Sequence, residues 1–167
     1  MNAAVLAYVG VGANLDQPRQ QVQQGIDALR ALPQTQLAAC SSLYLSAPVD
    51  ASGPDYVNAA VALHTTLAPL ALLQALHAIE ARFGRQRSTR NAPRTLDLDL
   101  LLYGELESDV PSLRLPHPRL HQRAFVMRPL LEIAPNLQVP GFGPLAEWLE
   151  RVKDQPIRRI DPQEAAR

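Results

Sequence analysis

Two acidic side chains, Asp97 and Asp99, lie inside an apolar run over residues 94–104 that ends at Gly104. Bulky apolar residues closed by a glycine are typical of a β-strand. Because strand residues two apart point the same way, the two carboxylates share one face, and Leu96, Leu98 and Leu100 take the other. Two like charges so close repel each other, and burying them costs free energy unless a cation joins them. Oxygen ligands without nearby thiols suit a hard divalent ion such as Mg²⁺. A merely solvated strand face is the alternative.

A cationic segment leads into this strand. Between Glu80 and Asp97 the sequence holds no acidic residue but five arginines, namely Arg82, Arg85, Arg87, Arg90 and Arg94. Guanidinium groups bind phosphate oxygens as a fork, and a metal ion neutralises the same oxygens, so this segment and the acidic pair together indicate a bound polyphosphate. A solvated charged loop or a nucleic-acid patch is the alternative, but the acidic pair argues against nucleic acid as the main ligand.

The sequence of residues 90–104, Arg-Asn-Ala-Pro-Arg-Thr-Leu-Asp-Leu-Asp-Leu-Leu-Leu-Tyr-Gly, closely resembles the signature of 6-hydroxymethyl-7,8-dihydropterin pyrophosphokinases, which are enzymes of folate biosynthesis. Two shorter stretches agree with the same family. Residues 55–59 read Asp-Tyr-Val-Asn-Ala, and Pro-His-Pro at residues 116–118 is followed by Arg123 and Phe125. The resemblance extends from residue 5 to about residue 150.

Composition sets bounds that agree with a small-molecule enzyme. The chain of 167 residues has 16 basic and 16 acidic side chains, so no overall charge points to nucleic acid or a membrane. Its one cysteine, Cys40, allows no internal disulfide and fits a cytoplasmic protein. We expect one pterin pyrophosphokinase domain over residues 1–167 with a polar tail after about residue 160, acting as a monomer without a nucleic-acid or membrane partner.

Hydrophobic periodicity predicts the element order β-α-β-β-α-β, which indicates an α+β fold. The predicted strands cover residues 5–11, 37–45, 56–65 and 94–104, and the predicted helices follow Asp16 and cover 68–83, with later helical pieces at 128–134 and 144–152. Asp16 is positioned to cap the first helix, and Pro18 suits its first turn. We expect a ferredoxin-like two-layer sandwich, an antiparallel sheet with helices packed on one face, and the resemblance implies the same fold.

Tyr56 and Asn58 are neighbours on one face of the third predicted strand, beside a loop. A flat ring and an amide with both donor and acceptor suit a planar heterocycle, although an ordinary strand edge is the alternative. The resemblance implies that Tyr56 stacks on the pterin, that Asn58 bonds its edge and that Phe125 covers its other face. It also implies contacts from the backbone around Ser46, Ala47 and Val49.

The resemblance further implies an activity: transfer of pyrophosphate from ATP to the hydroxymethyl group of the pterin, leaving AMP. The residues implied to bind ATP are His77, Glu80, Arg85, Arg87, Arg94, His117 and Arg123. Asp97 and Asp99 are implied to hold two Mg²⁺ ions and to act in catalysis with Arg85 and Arg94. From spacing alone, His77 and Glu80 could instead form a surface pair. The sequence contains no P-loop, which disfavours a P-loop kinase.

A second class of function is a non-catalytic ferredoxin-like module that binds a nucleotide or RNA through the arginine segment. RNA-binding domains of this shape stack bases on exposed aromatic side chains of their central strands. No aromatic-rich strand motif is visible in the sequence, so the enzyme is the favoured interpretation.

Overall fold

A six-stranded antiparallel sheet dominates the computed structural model, which describes residues 3–15, 17–47, 54–83 and 96–161. Its strands, with those of two short hairpins, are β1 (Val5–Ala13), β2 (Thr35–Cys40), β3 (Tyr44–Ser46), β4 (Tyr56–Thr65), β5 (Asp97–Tyr103), β6 (Ser108–Val110), β7 (Leu113–Leu115), β8 (Gln138–Val139), β9 (Gly143–Pro144) and β10 (Ile157–Arg159). The helices are α1 (Pro18–Arg30), α2 (Pro69–Arg82), α3 (Ala124–Ile133) and α4 (Leu145–Glu150).

The strand order confirms the antiparallel α+β fold. The sheet runs β10-β3-β4-β1-β5, with β2 paired to the other end of β4. Strand β1 therefore lies between β4 and β5, and every neighbouring pair is antiparallel. This order brings the predicted pterin residues on β4 and the acidic pair on β5 to either side of a single strand.

Helices cover both faces of the sheet. The face carrying Val61 and Leu98 packs against α1 and α2, as the alternation in β4 and β5 predicts. The opposite face, with Tyr8 and Leu101, packs against Met127 of α3 and against α4. The expectation of helices on one face thus holds for α1 and α2 only. The helix α3 adds a layer on the other side, because it is apolar enough to bury Met127 and Leu130 there.

Most predicted strands and helices are present, but several begin or end at other residues than predicted. The strand predicted over residues 37–45 is split into β2 and β3, because Ser41 turns both its backbone N–H and its hydroxyl oxygen toward Ala60. Pro18 does begin α1, but the residue at its cap is Gln17, and Asp16 lies outside the described residues. The helix predicted from residue 128 begins earlier, at Ala124, so that it includes Phe125.

Close packing of α1 fixes the beginning of β5. A Cβ atom on Gly25 in α1 would lie 2.9 Å from Cδ1 of Leu96, so any larger residue would force the buried Leu96 side chain or the helix to shift. Leu96 is fully buried and immediately precedes Asp97. The acidic pair therefore comes directly after a residue that is fixed in the core.

None of the helices in the described part of the chain is long and apolar enough to cross a membrane.

Candidate active site

Two glycines of β1 separate the predicted pterin residues from the acidic pair. Gly12 pairs with Asn58 on one side and with Asp97 on the other, and Gly10 pairs with Ala60 and Asp99. Neither glycine projects a side chain, so the sheet forms a flat floor between the amide and the carboxylates. A Cβ on Gly12 would lie 3.3 Å from Oδ1 of Asn58, which is closer than most real Cβ contacts.

The first strand was predicted to end at residue 11, whereas β1 continues to Ala13 and so includes Gly12. Glycines at alternate positions of an apolar strand are the signal that could have identified this floor, because glycine within a strand often marks the close approach of a ligand or another backbone. The role of Gly10 and Gly12 depends on which strands lie on either side of β1, and that pairing is a property of the sheet.

The acidic pair has the predicted geometry. Asp97 and Asp99 are half-buried on one face of β5, while Leu96, Leu98 and Leu100 are buried on the other. His117 Nε2 lies 4.0 Å from Oδ1 of Asp99. A carboxylate pair and an imidazole thus meet beside the glycine floor.

Burial keeps His117 neutral, and backbone contacts fix its position and its tautomer. Its backbone N–H donates to the carbonyl of Leu101 in β5 at 2.9 Å, and its Nδ1 accepts from the N–H of Arg119 at 3.2 Å. Burial, followed by the charge of Arg123, lowers the pKa of His117 from 6.5 to about 4, against the opposing charge of Asp97. At neutral pH the ring is therefore uncharged, with its proton on Nε2, the nitrogen that faces Asp99.

Arg123 connects the acidic pair with the aromatic residues. It precedes α3, and its guanidinium Cζ lies 5.4 Å from the centre of the Phe125 ring. Burial lowers the pKa of Arg123, and the carboxylates of Asp99 and Asp97 raise it, as does Tyr56 more weakly. The Arg123 guanidinium therefore interacts electrostatically with both carboxylates and with Tyr56, and it lies over the Phe125 ring.

The predicted pterin residues on β3 and β4 are uncharged, and two of them are hydrogen-bonded to each other. Asn58 and Ser46 are 4% and 5% exposed, and Nδ2 of Asn58 donates to Oγ of Ser46 at 2.7 Å. This bond orients the amide so that Oδ1 lies above Gly12. Tyr56 pairs with Ser46 across β3 and β4, and Ala47 is exposed directly after β3. These four predicted residues therefore lie together.

Glu80 is buried, whereas the alternative of a surface pair with His77 required it to be exposed. His77 is exposed, whereas Glu80 is only 1% exposed and accepts a hydrogen bond from the backbone N–H of Leu98 at 2.8 Å. Leu98 lies between Asp97 and Asp99, so the observed contact of Glu80 braces the strand that carries the acidic pair. Binding of ATP by either residue stays a prediction.

Four predicted site residues, Val49, Arg85, Arg87 and Arg94, lie outside the described residues. Their roles in binding pterin or ATP stay predictions, as do the phosphate contacts of the arginine segment as a whole.

The donor set at Asp97 and Asp99 suits magnesium bound together with a substrate. Across residues 3–15, 17–47, 54–83 and 96–161, no three His, Cys, Asp or Glu side chains are grouped to hold a metal ion. Mg²⁺ seldom needs such a cage, because it keeps several waters and binds one or two carboxylates together with substrate phosphates. Two half-buried carboxylates on one strand face fit this habit.

Comparison with known proteins agrees with this geometry. The family model for 7,8-dihydro-6-hydroxymethylpterin-pyrophosphokinase (HPPK) matches residues 8–135. A protein of Pseudomonas aeruginosa named 2-amino-4-hydroxy-6-hydroxymethyldihydropteridine pyrophosphokinase is 48% identical over 92% of this chain and 95% of its own length. A protein of Haemophilus influenzae with the same name is 39% identical over 95% of this chain and 99% of its own length.

Solved structures show the same fold in a longer protein. The wild-type HPPK-DHPS protein of Plasmodium falciparum superposes with a TM-score of 0.70 at 12% identity, over 91% of this chain. The chain spans 45% of the length of that protein. At this identity the likeness supports the fold alone.

Proposed function

Since the chain belongs to the family of 7,8-dihydro-6-hydroxymethylpterin-pyrophosphokinases, we propose that it transfers the β,γ-diphosphate of ATP to the hydroxymethyl oxygen of the pterin in folate biosynthesis. One structural observation supports this most directly. The carboxylates of Asp97 and Asp99 lie one strand away from Asn58, across the bare backbone of Gly10 and Gly12. A polyphosphate site and a heterocycle site are thereby adjacent on one surface.

We propose that Asn58 recognises the edge of the pterin. Since Nδ2 is bonded to Ser46, the atom left facing Gly12 is Oδ1, an acceptor suited to the ring N–H and amino groups of a pterin. Tyr56 and Phe125 would enclose the two ring faces, which favours a planar ligand. Backbone groups around Ser46, Ala47 and Val49 would complete the recognition.

We propose that Asp97 and Asp99 hold two Mg²⁺ ions together with the phosphates of ATP. When bound, the metal neutralises phosphate charge and lowers the pKa of the attacking hydroxyl group. The two carboxylates themselves fix where the diphosphate lies relative to the pterin, because both project from the one strand that Glu80 and Leu96 anchor. Positioning of this kind supplies much of the rate in phosphoryl transfer.

Cationic and neutral donors would hold the phosphates between them. Arg123 is already placed near both carboxylates, and His117 presents Nε2–H as a neutral donor. The arginines 85, 87 and 94 would add charge-assisted bonds to the transferred group, with Arg85 and Arg94 acting in catalysis. His77 and Glu80 are proposed to contact the nucleotide.

In the proposed reaction the hydroxymethyl oxygen attacks the β-phosphorus of ATP. A bond forms between that oxygen and the β-phosphorus, and the bond from the β-phosphorus to the oxygen shared with the α-phosphorus breaks. AMP leaves with the electron pair, and the proton of the hydroxyl group is released. The products are therefore the pterin diphosphate and AMP.

Identification of the nucleotide product tests this proposal. The protein, Mg²⁺, ATP and 6-hydroxymethyl-7,8-dihydropterin are incubated together, and the nucleotides are separated by chromatography. We expect AMP and the pterin diphosphate in equal amounts. Formation of ADP would contradict diphosphate transfer, whereas binding of both ligands without any product would favour a non-catalytic binding module.

We infer in addition that residues 1–167 act as one domain, as a monomer and in the cytoplasm. A single cysteine with no possible internal partner is compatible with a reducing compartment. Light scattering after gel filtration tests the oligomeric state: a mass near 18.3 kDa is expected, and twice that mass would contradict a monomer.

A further inference from the structure

The beginning of α3 departs from the ordinary chemistry of a helix N-terminus. Arg123 occupies the cap position with an extended backbone, φ −126° and ψ 112°, and no cap-residue side chain bonds the first turn of the helix. Ser, Thr, Asp or Asn usually fill this position, because their oxygen accepts one of the free N–H groups. A positive side chain there also opposes the helix dipole. Arg123 is therefore unsuited to cap the helix that it begins.

A residue far along the chain performs this task instead. Oε1 of Gln155 accepts a hydrogen bond from the N–H of Ala124 at 2.9 Å, and Nε2 of Gln155 donates to the carbonyl of Gln122 at 3.0 Å. One side-chain amide thus bonds the residues on either side of Arg123. Gln155 is itself placed by a turn after α4, in which its N–H donates to the carbonyl of Val152 at 3.0 Å.

We infer that Gln155 is a positioning residue for Arg123, which it holds toward the carboxylates of Asp97 and Asp99. This inference rests on the proposed role of Arg123 in phosphate binding. The two hydrogen bonds fix the peptide groups before and after Arg123, and Phe125 follows one residue later. A rotation of either peptide would swing the long arginine side chain, so the geometry of the site depends on a bond made outside it.

The arrangement resolves a conflict between folding and function. A good capping residue at position 123 would stabilise α3 but would remove the cation from the acidic pair. Capping by Gln155 satisfies the N–H of Ala124 and leaves position 123 to arginine. Proteins commonly depart from a local rule at a functional site and compensate elsewhere, and here the compensating residue is identified.

The test replaces Gln155 with Met, which keeps the length of the side chain and removes both hydrogen-bonding groups. The matched control is Lys153→Met in the same segment, where Lys153 contacts only Glu150 at 4.0 Å among the ion pairs of the described residues. Each change is made in the natural chain and in an Arg123→Ala chain. The readouts are kcat/KM and the calorimetric affinity for α,β-methylene-ATP with Mg²⁺, both well below the unfolding temperature.

In the natural chain, Gln155→Met should lower nucleotide affinity and kcat/KM by roughly tenfold, because a displaced Arg123 would lose much of a charge-assisted hydrogen bond to phosphate. In the Arg123→Ala chain the same change should alter both by less than about twofold, because the residue that it positions is gone. Lys153→Met should change neither quantity. If Gln155→Met unfolds the protein, Gln155→Glu, which keeps the acceptor for Ala124, takes its place in the same cycle.

Equal losses in the two chains would overturn the inference, since Gln155 would then act on stability rather than through Arg123. An unchanged natural chain would overturn it as well. Both outcomes leave the proposed reaction intact. Normal nucleotide affinity in the Arg123→Ala chain would instead contradict the proposed role of Arg123, and the inference would fail with it.

Discussion

The two sides of the glycine floor are held by different forces. On the pterin side, Asn58 and Ser46 are buried, uncharged and already bonded to each other at 2.7 Å. On the phosphate side, Asp97 and Asp99 are half-buried carboxylates beside Arg123 and a neutral His117. The groups of the first side are oriented by a hydrogen bond to each other, whereas the second side gathers charges whose balance depends on what binds.

The difference shows how the proposed site would hold two unlike substrates on one small sheet. Its neutral groups would recognise the heterocycle by shape and hydrogen bonds, and that recognition should vary little with salt or metal. Its charged groups would recognise the polyphosphate by Coulomb attraction, which is strong only where water is excluded. We therefore expect changes on the two sides to affect different steps, and the following predictions test that separation.

The largest effect is expected from the acidic pair. Asp97→Ala or Asp99→Ala should lower kcat by about 10²–10³-fold or more, because metal-assisted charge neutralisation contributes several kcal/mol. The fold should persist, since loss of one carboxylate also relieves repulsion. Steady-state kinetics and thermal unfolding measure the two quantities, with Asp109→Ala in the exposed hairpin as the control. Near-normal turnover in either purified variant would show that the pair does not serve the reaction.

The next effect concerns the aromatic wall. Phe125→Ala should weaken pterin binding by about 1–3 kcal/mol, the range found when a base loses a stacking partner. ATP binding should change much less, because the proposed contact of Phe125 is with the pterin, and Phe125 reaches the phosphates only through the Arg123 guanidinium that lies over its ring. Calorimetry with each ligand in turn measures the difference. The control is Phe142→Ala, which removes an aromatic ring from a cluster formed with His121 and Trp148. Equal losses for the two ligands in Phe125→Ala would contradict the separation of the two sides.

A smaller effect concerns the attachment of α3 to the pterin side. Tyr44 pairs with Asn58 in the sheet, and its hydroxyl donates to Glu132 of α3 at 2.6 Å. Burial, followed by the hydrogen bond with Glu132, raises the pKa of Tyr44 from 10.0 to about 12. Between pH 10 and pH 12 the tyrosine is deprotonated in the unfolded chain but keeps its proton in the folded chain. The contribution of Tyr44 to the free energy of unfolding therefore falls as the pH rises through this window.

By pH 12 this loss should reach about 2 kcal/mol. Tyr44→Phe should be less stable than the natural chain at pH 7, because it lacks the bond to Glu132. Its disadvantage should then shrink as pH rises through the same window. Urea titrations of both proteins at several pH values measure the difference, and a constant difference from pH 7 to 12 would rule out this bond as the cause.

The smallest effect is expected from the floor itself. Gly12→Ala would place a methyl group 3.3 Å from Oδ1 of Asn58, and so should weaken pterin binding about tenfold, or about 1.4 kcal/mol. At Gly10, by contrast, an added Cβ would meet only the Leu101 side chain at 3.5 Å, an ordinary contact, so pterin affinity should change less there. Calorimetry on both variants tests the order, and a larger loss for Gly10→Ala would reverse our assignment of the two sides.

Much of this site was predictable because local sequence patterns identify its residues. The alternation around Asp97 and Asp99 required both carboxylates to share a face, and the structure agrees. The alternation of β4 likewise assigned Tyr56 and Asn58 to one face, and β4 spans the predicted residues 56–65. Strand periodicity survives because each such side chain chooses only between two faces, one of which is the core.

Other features depend on partners distant in sequence and gave no local signal. Spacing alone left open a surface pair of Glu80 with His77, but the packing of α2 against β5 buries Glu80, whose carboxylate accepts a hydrogen bond from the N–H of Leu98. The bonds from Gln155 to Gln122 and Ala124, and from Tyr44 to Glu132, join residues 31 to 88 positions apart. Only the folded chain brings these donors and acceptors within reach of one another.

The sequence by itself determined the family, the antiparallel α+β fold and the residue types at the site, because a long signature and strand alternation are both local properties. Only the tertiary structure decided that α3 covers the second face of the sheet, that Gly10 and Gly12 separate the two sides of the site, and that Gln155 caps the helix that Arg123 cannot. Each of these depends on which backbone groups become neighbours when strands and helices pack, and hydrophobic periodicity records which face is buried but not against what.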